Sequence, residues 1–123
     1  MTKVLYVEDE ALLAISMESI LVESGYIVAL AHDGEEGVAR ALSFLPQVIV
    51  TDFMMPRMDG PAMLKELLYR GIKVPVVLTT AVPEEDITAE VRGQIDIYLP
   101  KPFSEQDLIA AVNSLSALSS EPH

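Results

Sequence analysis

The chain has 123 residues, about the length of one ordinary domain, and half of them are hydrophobic, with a mean hydropathy of +0.34. That apolar content excludes disorder, and the absence of Cys excludes disulfides, thiol catalysis and Cys-ligated zinc. Lys and Arg total 8 against 19 Asp and Glu, a formal net charge of −11, which argues against binding to nucleic acid or an anionic membrane. Two His leave no room for a multi-His metal site. No signal peptide precedes Glu8 and Asp9, and no apolar run approaches the ~20 residues that span a bilayer. The expectation is a small, acidic, cytoplasmic domain in which some carboxylates do chemistry.

In chain order, short apolar runs rich in β-branched residues fall at Val4–Val7, Ile27–Ala31, Val48–Thr51, Val76–Thr80 and Ile95–Leu99. They are continuous rather than alternating, as in strands covered on both faces. Their starts lie 23, 21, 28 and 19 residues apart, room for one crossover helix each time. Between the first two runs, Leu13, Met17, Ile20 and Leu21 share a helical face. Val38, Ala41 and Leu42 mark a weaker second stripe, Met63, Leu67 and Leu68 a third, and Leu108, Val112 and Leu115 the last. The segment opened by Pro83-Glu84-Glu85-Asp86 is the poorest helix, with only Ile87 and Val91 apolar.

Terminus signals agree with these assignments. Gly25, Gly71 and Gly93 follow helical patterns where a left-handed residue is expected. Asp59-Gly60-Pro61 offers a capping acceptor and a first-turn proline, and Ser104 with Asp107 resembles a capping box. The pattern specifies a doubly wound α/β fold, a five-stranded parallel sheet with five helices and right-handed crossovers. The whole chain, 1–123, is expected to form one domain with no output domain attached.

Ligands of such sheets bind beyond the carboxyl ends of the strands. The first run ends in Glu8-Asp9, the third in Asp52, the fourth in Thr79-Thr80 and the fifth in Pro100-Lys101-Pro102. Three clustered carboxylates repel unless a cation sits among them, and an oxygen-only donor set suits Mg²⁺, with Mn²⁺ as an alternative. Magnesium usually accompanies phosphate, and an Asp carboxylate can itself be a phosphoryl acceptor. With the third, fourth and fifth strands adjacent in that order, the fifth lies ~10 Å from Asp52. A lysine is long enough to cross that gap, while a threonine suffices on the nearer strand. Lys101 and Thr80 occupy those places.

The motifs Val7-Glu8-Asp9-Glu10, Asp52-Phe53-Met54-Met55-Pro56-Arg57-Met58-Asp59-Gly60, Thr80-Ala81 and Lys101-Pro102-Phe103 resemble bacterial response-regulator receiver domains of the stand-alone, chemotaxis-regulator-like type. The likeness covers residues 2 to about 117. It implies strand order 2-1-3-4-5 and a Mg²⁺-dependent signalling switch rather than a turnover enzyme. Asp52 matches the phosphoacceptor, served by a sensor histidine kinase or a histidine phosphotransfer protein. Asp9, Asp52 and the Met54 carbonyl match the metal ligands, with Glu8 acting through water. Lys101 matches the phosphoryl partner, Thr80 the switch hydroxyl, and Tyr98 the aromatic that follows it. The Lys101–Pro102 bond is cis in such domains. Output would pass to a downstream protein through the surface of the fourth helix, fifth strand and fifth helix.

Several residues depart from the family pattern or read two ways. Glu8 replaces the more usual Asp, Met54 and Val82 are apolar at positions that tune phosphoryl lifetime, and Gln94-Ile95 replaces a Gly-Ala pair. Met55 is expected in the core, whereas Met54 and Met58 are open between core and partner contact, and His32 is expected at the surface. A phosphorelay shuttle or phosphate sink would use the same chemistry. A haloacid-dehalogenase-type phosphohydrolase would need an acid where Met54 stands. An inert adaptor would not need the full set of acids, Thr80 and Lys101.

Overall fold

The computed structural model describes residues 1–119, so the last four residues of the expected domain lie outside the described residues. Five strands, β1 (Lys3–Val7), β2 (Ile27–Ala31), β3 (Val48–Asp52), β4 (Val76–Thr80) and β5 (Ile97–Pro100), alternate with helices. The helices are α1 (Ala11–Glu23), α2 (Gly34–Phe44), α3 (Gly60–Tyr69), α4 (Ala89–Arg92) and α5 (Glu105–Ser119). The sheet is parallel throughout, in the order β2-β1-β3-β4-β5 that the resemblance implies.

Strand alternation divides the core in two. Val4, Tyr6, Val48, Val50, Val77 and Leu99 meet Leu21 of α1 and Leu108, Val112 and Leu115 of α5 on one side. Leu5, Val7 and Ile49 meet Val38 and Ala41 of α2 and Met63 and Leu67 of α3 on the other. Every residue of β3 and β4 is buried, which is why those runs show no polar alternation. Burying both sheet faces is also what positions the strand ends: the register cannot slip without moving buried side chains into water.

Helix termini follow local chemistry. Asp59 accepts from the Ala62 N–H at 2.8 Å, with Pro61 in the first turn of α3. Ser104 and Asp107 pair reciprocally, the Asp107 N–H donating to Ser104 Oγ at 3.0 Å and the Ser104 N–H to Asp107 Oδ2 at 3.4 Å. Gly25 and Gly71 adopt φ of +98° and +83° after α1 and α3.

Four expectations need correction. Gly93 has φ −69° and stays right-handed, because its N–H continues the short α4 by bonding the Ala89 carbonyl. α2 also ends on a left-handed residue, Leu45, with φ 54°, which no glycine marked. Leu42 and Leu68, assigned to buried stripes, are exposed on the outer sides of α2 and α3. The segment expected to be one helix from Pro83 is a 3-10 turn at Glu84–Asp86, an extended Ile87, and then a single α-turn capped by Thr88. Ile87 is buried and pins that break. α1 carries Leu12, Ile15 and Val22 exposed in addition to its inner stripe, so it is apolar nearly all round. The start of β5 also shifts, from Ile95 to Ile97.

Candidate functional site

At the carboxyl edge of the sheet, β1 and β3 run side by side and deliver Glu8, Asp9 and Asp52 to one corner. One carboxylate oxygen from each lies within 4.8 Å of the others, a donor set able to hold a divalent cation. Their exposures differ sharply. Glu8 is 1% exposed and Asp52 8%, whereas Asp9 is open to solvent.

Lys101 crosses from beyond β5, two strands away. Its Nζ donates to Glu8 Oε1 at 3.0 Å and to Asp52 Oδ2 at 3.1 Å. The long side chain required by that span is thus the one that makes the contact. The other oxygens of Glu8 and Asp52 also have donors: the Phe53 N–H reaches Asp52 Oδ1 at 3.0 Å, and the Glu10 N–H reaches Glu8 Oε2 at 3.2 Å. The Lys101–Pro102 peptide is cis, as the resemblance implies.

Electrostatics follow from crowding. Burial, reinforced by the charge of Asp52, pushes the Glu8 carboxyl up to about 7, against the opposing pull of the Lys101 and Glu10 donors. Burial alone would lower Lys101, but its bonds to Glu8 and Asp52 carry it above its ordinary value. The corner therefore keeps its lysine charged and brings the titration of Glu8 into the pH range where cells work.

Thr79 and Thr80 end β4 with different partners. Thr79, paired in register with Asp52, turns its hydroxyl to the Thr51 carbonyl at 3.4 Å inside the sheet. The Thr80 hydroxyl accepts the Val82 N–H at 3.0 Å. Tyr98 of β5 donates to the carbonyl of that same Val82 at 2.6 Å. One residue of the β4–α4 connection thereby joins Thr80 to Tyr98. Met54 is exposed on the loop beside the site, Met55 and Met58 pack against the core beneath α3, and His32 is at the surface.

Residues other than the carboxylates and the lysine build the site's frame. A Cβ on Gly60 would lie 2.3 Å from the Asp52 carbonyl oxygen, so only glycine lets α3 start against the end of β3. Its N–H bonds the Phe53 carbonyl at 2.8 Å. Gly34 is equally confined: its N–H bonds the Met58 carbonyl at 3.0 Å, and a Cβ there would come within 2.2 Å of that oxygen. Arg57, at φ 69°, pairs with Asp33 at 3.5 Å. The Asp33-Gly34 dipeptide was the available signal for this second clamp. Gln94, where the family pattern has a small residue, sends Nε2 to the Pro61 carbonyl at 3.2 Å and braces the start of α3.

A five-stranded 2-1-3-4-5 sheet with acids beyond β1 and β3 and a lysine beyond β5 is a doubly wound, flavodoxin-like signalling-domain arrangement with its polar site at the strands' carboxyl ends. The response regulator receiver domain family matches residues 4–113, and the chain belongs to that family. Its relatives include response regulator MprA of Mycobacterium ulcerans, 35% identical over 116 residues, which cover 92% of this chain and 49% of that protein. MprA of Mycobacterium tuberculosis strain H37Rv is likewise 35% identical over 92% of this chain. The chain thus spans about half the length of the curated relatives it matches. Among solved structures, the Francisella response regulator 1452 receiver domain superposes with a TM-score of 0.89 at 33% identity, covering 98% of this chain and all of that one. The chemotaxis protein CheY4 of Vibrio cholerae gives 0.87 at 27% identity over 94% of this chain and 98% of its own. Receiver domains are signalling switches of two-component systems. Among the described residues, no helix is long and apolar enough to cross a membrane.

Proposed function

We propose that Asp52 accepts a phosphoryl group from a histidine kinase or histidine phosphotransfer protein and that the chain signals the change by protein contact. The observation that carries this reading is the corner itself: three carboxylates within 4.8 Å of one another, one bridged by Lys101 to a second strand's acid. An Asp52 oxygen attacks the phosphorus, the P–N bond of the donor's phosphohistidine breaks, and the released imidazole takes a proton from solvent. Asp9 and Asp52, with Glu8 and the Met54 carbonyl, would hold Mg²⁺, which when bound neutralises charge on the transferring group.

Lys101 and Thr80 respond to the new charge of about −1.5 to −2. Lys101 exchanges a carboxylate for a phosphoryl oxygen. Thr80 gives up the Val82 N–H to donate to the phosphoryl group, and Tyr98 loses the fixed Val82 carbonyl at the same time. The outcome is a population shift of the β4–α4 connection rather than turnover of a substrate. A histidine kinase or phosphotransfer protein as phosphoryl donor fits a cytoplasmic role. Incubation with acetyl phosphate and Mg²⁺ should add about 80 Da, and the adduct should vanish in Asp52→Asn. No adduct, or one that survives that substitution, overturns the reading.

A further inference from the structure

Tyr6 stands on β1 two residues before Glu8, and extended backbone puts both side chains on the same sheet face. The ladder continues through Glu8, whose N–H bonds the Ala31 carbonyl at 2.9 Å, so the alternation holds to that residue. The same face receives Leu99 of β5, packed with Tyr6, and then Lys101, whose N–H extends the ladder to the Thr80 carbonyl. Tyr6 is 1% exposed, and its hydroxyl is a buried group without a hydrogen-bond partner. Buried hydroxyls of native proteins are nearly always paired, and an unpaired one is a standing cost. Burial, then the charges of Glu8 and Asp52, raise its pKa, so the phenol is a proton-bearing donor facing an acidic neighbourhood.

The opposite deficit arises at Glu8. Its Oε2 keeps the Glu10 N–H, but the protein donor to Oε1 is Lys101. If Lys101 turns to a phosphoryl oxygen, a buried carboxylate oxygen loses that donor. The resting arrangement therefore has a donor in surplus at Tyr6, and the phosphorylated one lacks the Lys101 donor at Glu8 Oε1. We propose that the Tyr6 hydroxyl is the reserve donor for Glu8, taking up Oε1 when Lys101 leaves it. Tyr6 is then a positioning residue: it acts through Glu8, keeps that carboxylate in place, and reduces the cost of moving the lysine. This use of Tyr6 rests on the phosphoacceptor reading, but the pairing itself can be tested without it.

The test is a melting cycle at pH 8 in the presence of a chelator, with the parent, Tyr6→Phe, Lys101→Met and the double variant. In the parent background Tyr6→Phe should leave the midpoint within about 1 °C or raise it, because the hydroxyl removed had no partner. In the Lys101→Met background the same change should lower the midpoint by about 3 °C or more, because Tyr6 then serves Glu8. A fall in the Lys101→Met background equal to or smaller than that in the parent overturns the pairing. The second arm uses Tyr6→Phe alone, a change that keeps the ring and its packing. It should bind beryllofluoride with Mg²⁺ several-fold more weakly than the parent, and equal affinity overturns the role in the phosphorylated state. A parent that neither binds beryllofluoride nor gains mass from acetyl phosphate overturns the phosphoacceptor reading, while the melting cycle still decides the pairing.

Discussion

The β3–α3 and β4–α4 connections leave the same edge of the sheet, yet they are held in different ways. Residues 53–59 are fastened by backbone: Gly60 to Phe53, Gly34 to Met58, and Asp59 capping α3, with the two glycines in places where any Cβ meets a carbonyl. Residues 81–96 form a 3-10 turn and one α-turn, tied to the sheet through Val82 by two hydroxyls, at the far end by Asp96 to Val76 and Gln94 to the Pro61 carbonyl, and on the outside by an exposed Arg92–Glu84 pair. Asp52, the proposed acceptor, leads into the connection held by backbone, and Thr80 into the one held mainly by side chains and a single short helix turn. The proposed cation site would need carboxylates held as the first connection holds them, and the proposed switch surface would need the second kind of connection.

The sharpest way to break this contrast is Gly60→Ala. The new methyl group meets backbone rather than a side chain that can swing aside, so the loop must shift. A loss of about 3 kcal/mol is expected, read by denaturant unfolding, and a loss below that of an ordinary exposed-helix substitution would show the frame to be soft.

Glu8→Gln tests the electrostatics of the acidic corner. A carboxyl that protonates near pH 7 when folded, against an ordinary 4.5, binds more protons in the folded chain than in the unfolded one. Its contribution is therefore fully present below about 4.5 and is lost as pH rises through about 7. Without metal, the variant should gain about 2 kcal/mol on the parent between pH 5 and pH 8. A gap that does not change with pH would mean that Glu8 is charged throughout. Added Mg²⁺ should reverse the trend in the parent, since a cation favours the charged carboxylates, and its affinity should rise across the same interval.

In the β4–α4 connection the expected effects are smaller. Tyr98→Phe removes one half-buried bond to the Val82 carbonyl and should cost about 1 kcal/mol, with faster amide exchange confined to residues 81–96. Arg92→Ala opens only exposed pairs and should cost below about 0.5 kcal/mol. A larger loss would mean that the short α4 is locked rather than poised.

How far the sequence carries depends on whether a feature is local. The strands were legible because both faces are buried, which leaves unbroken runs such as Val48–Thr51, and their ends marked Glu8, Asp9, Asp52, Thr80 and Lys101. Lys101 was legible through distance as well, since the observed strand order leaves two spacings to cross. The caps at Asp59 and Ser104 were readable because their partners lie three residues away. The clamps at Gly34 and Gly60 were not, because each is a close approach between elements distant in the chain or folded back on themselves. The exposed Leu42 and Leu68 were misplaced for a related reason: a helical stripe is wider than the contact it makes, and only the packing decides which edge stays outside. The break before α4 follows from Ile87 burying itself in extended backbone, a tertiary demand that overrides the weak helical pattern there.

The contrast between the two connections is tested most directly by amide hydrogen exchange with and without beryllofluoride and Mg²⁺. The account predicts that exchange changes across residues 81–98 as Thr80 and Tyr98 leave Val82, while residues 53–60 keep their protection. Changes confined to 53–60, or none in 81–98 on a protein shown to bind the mimic, would contradict it.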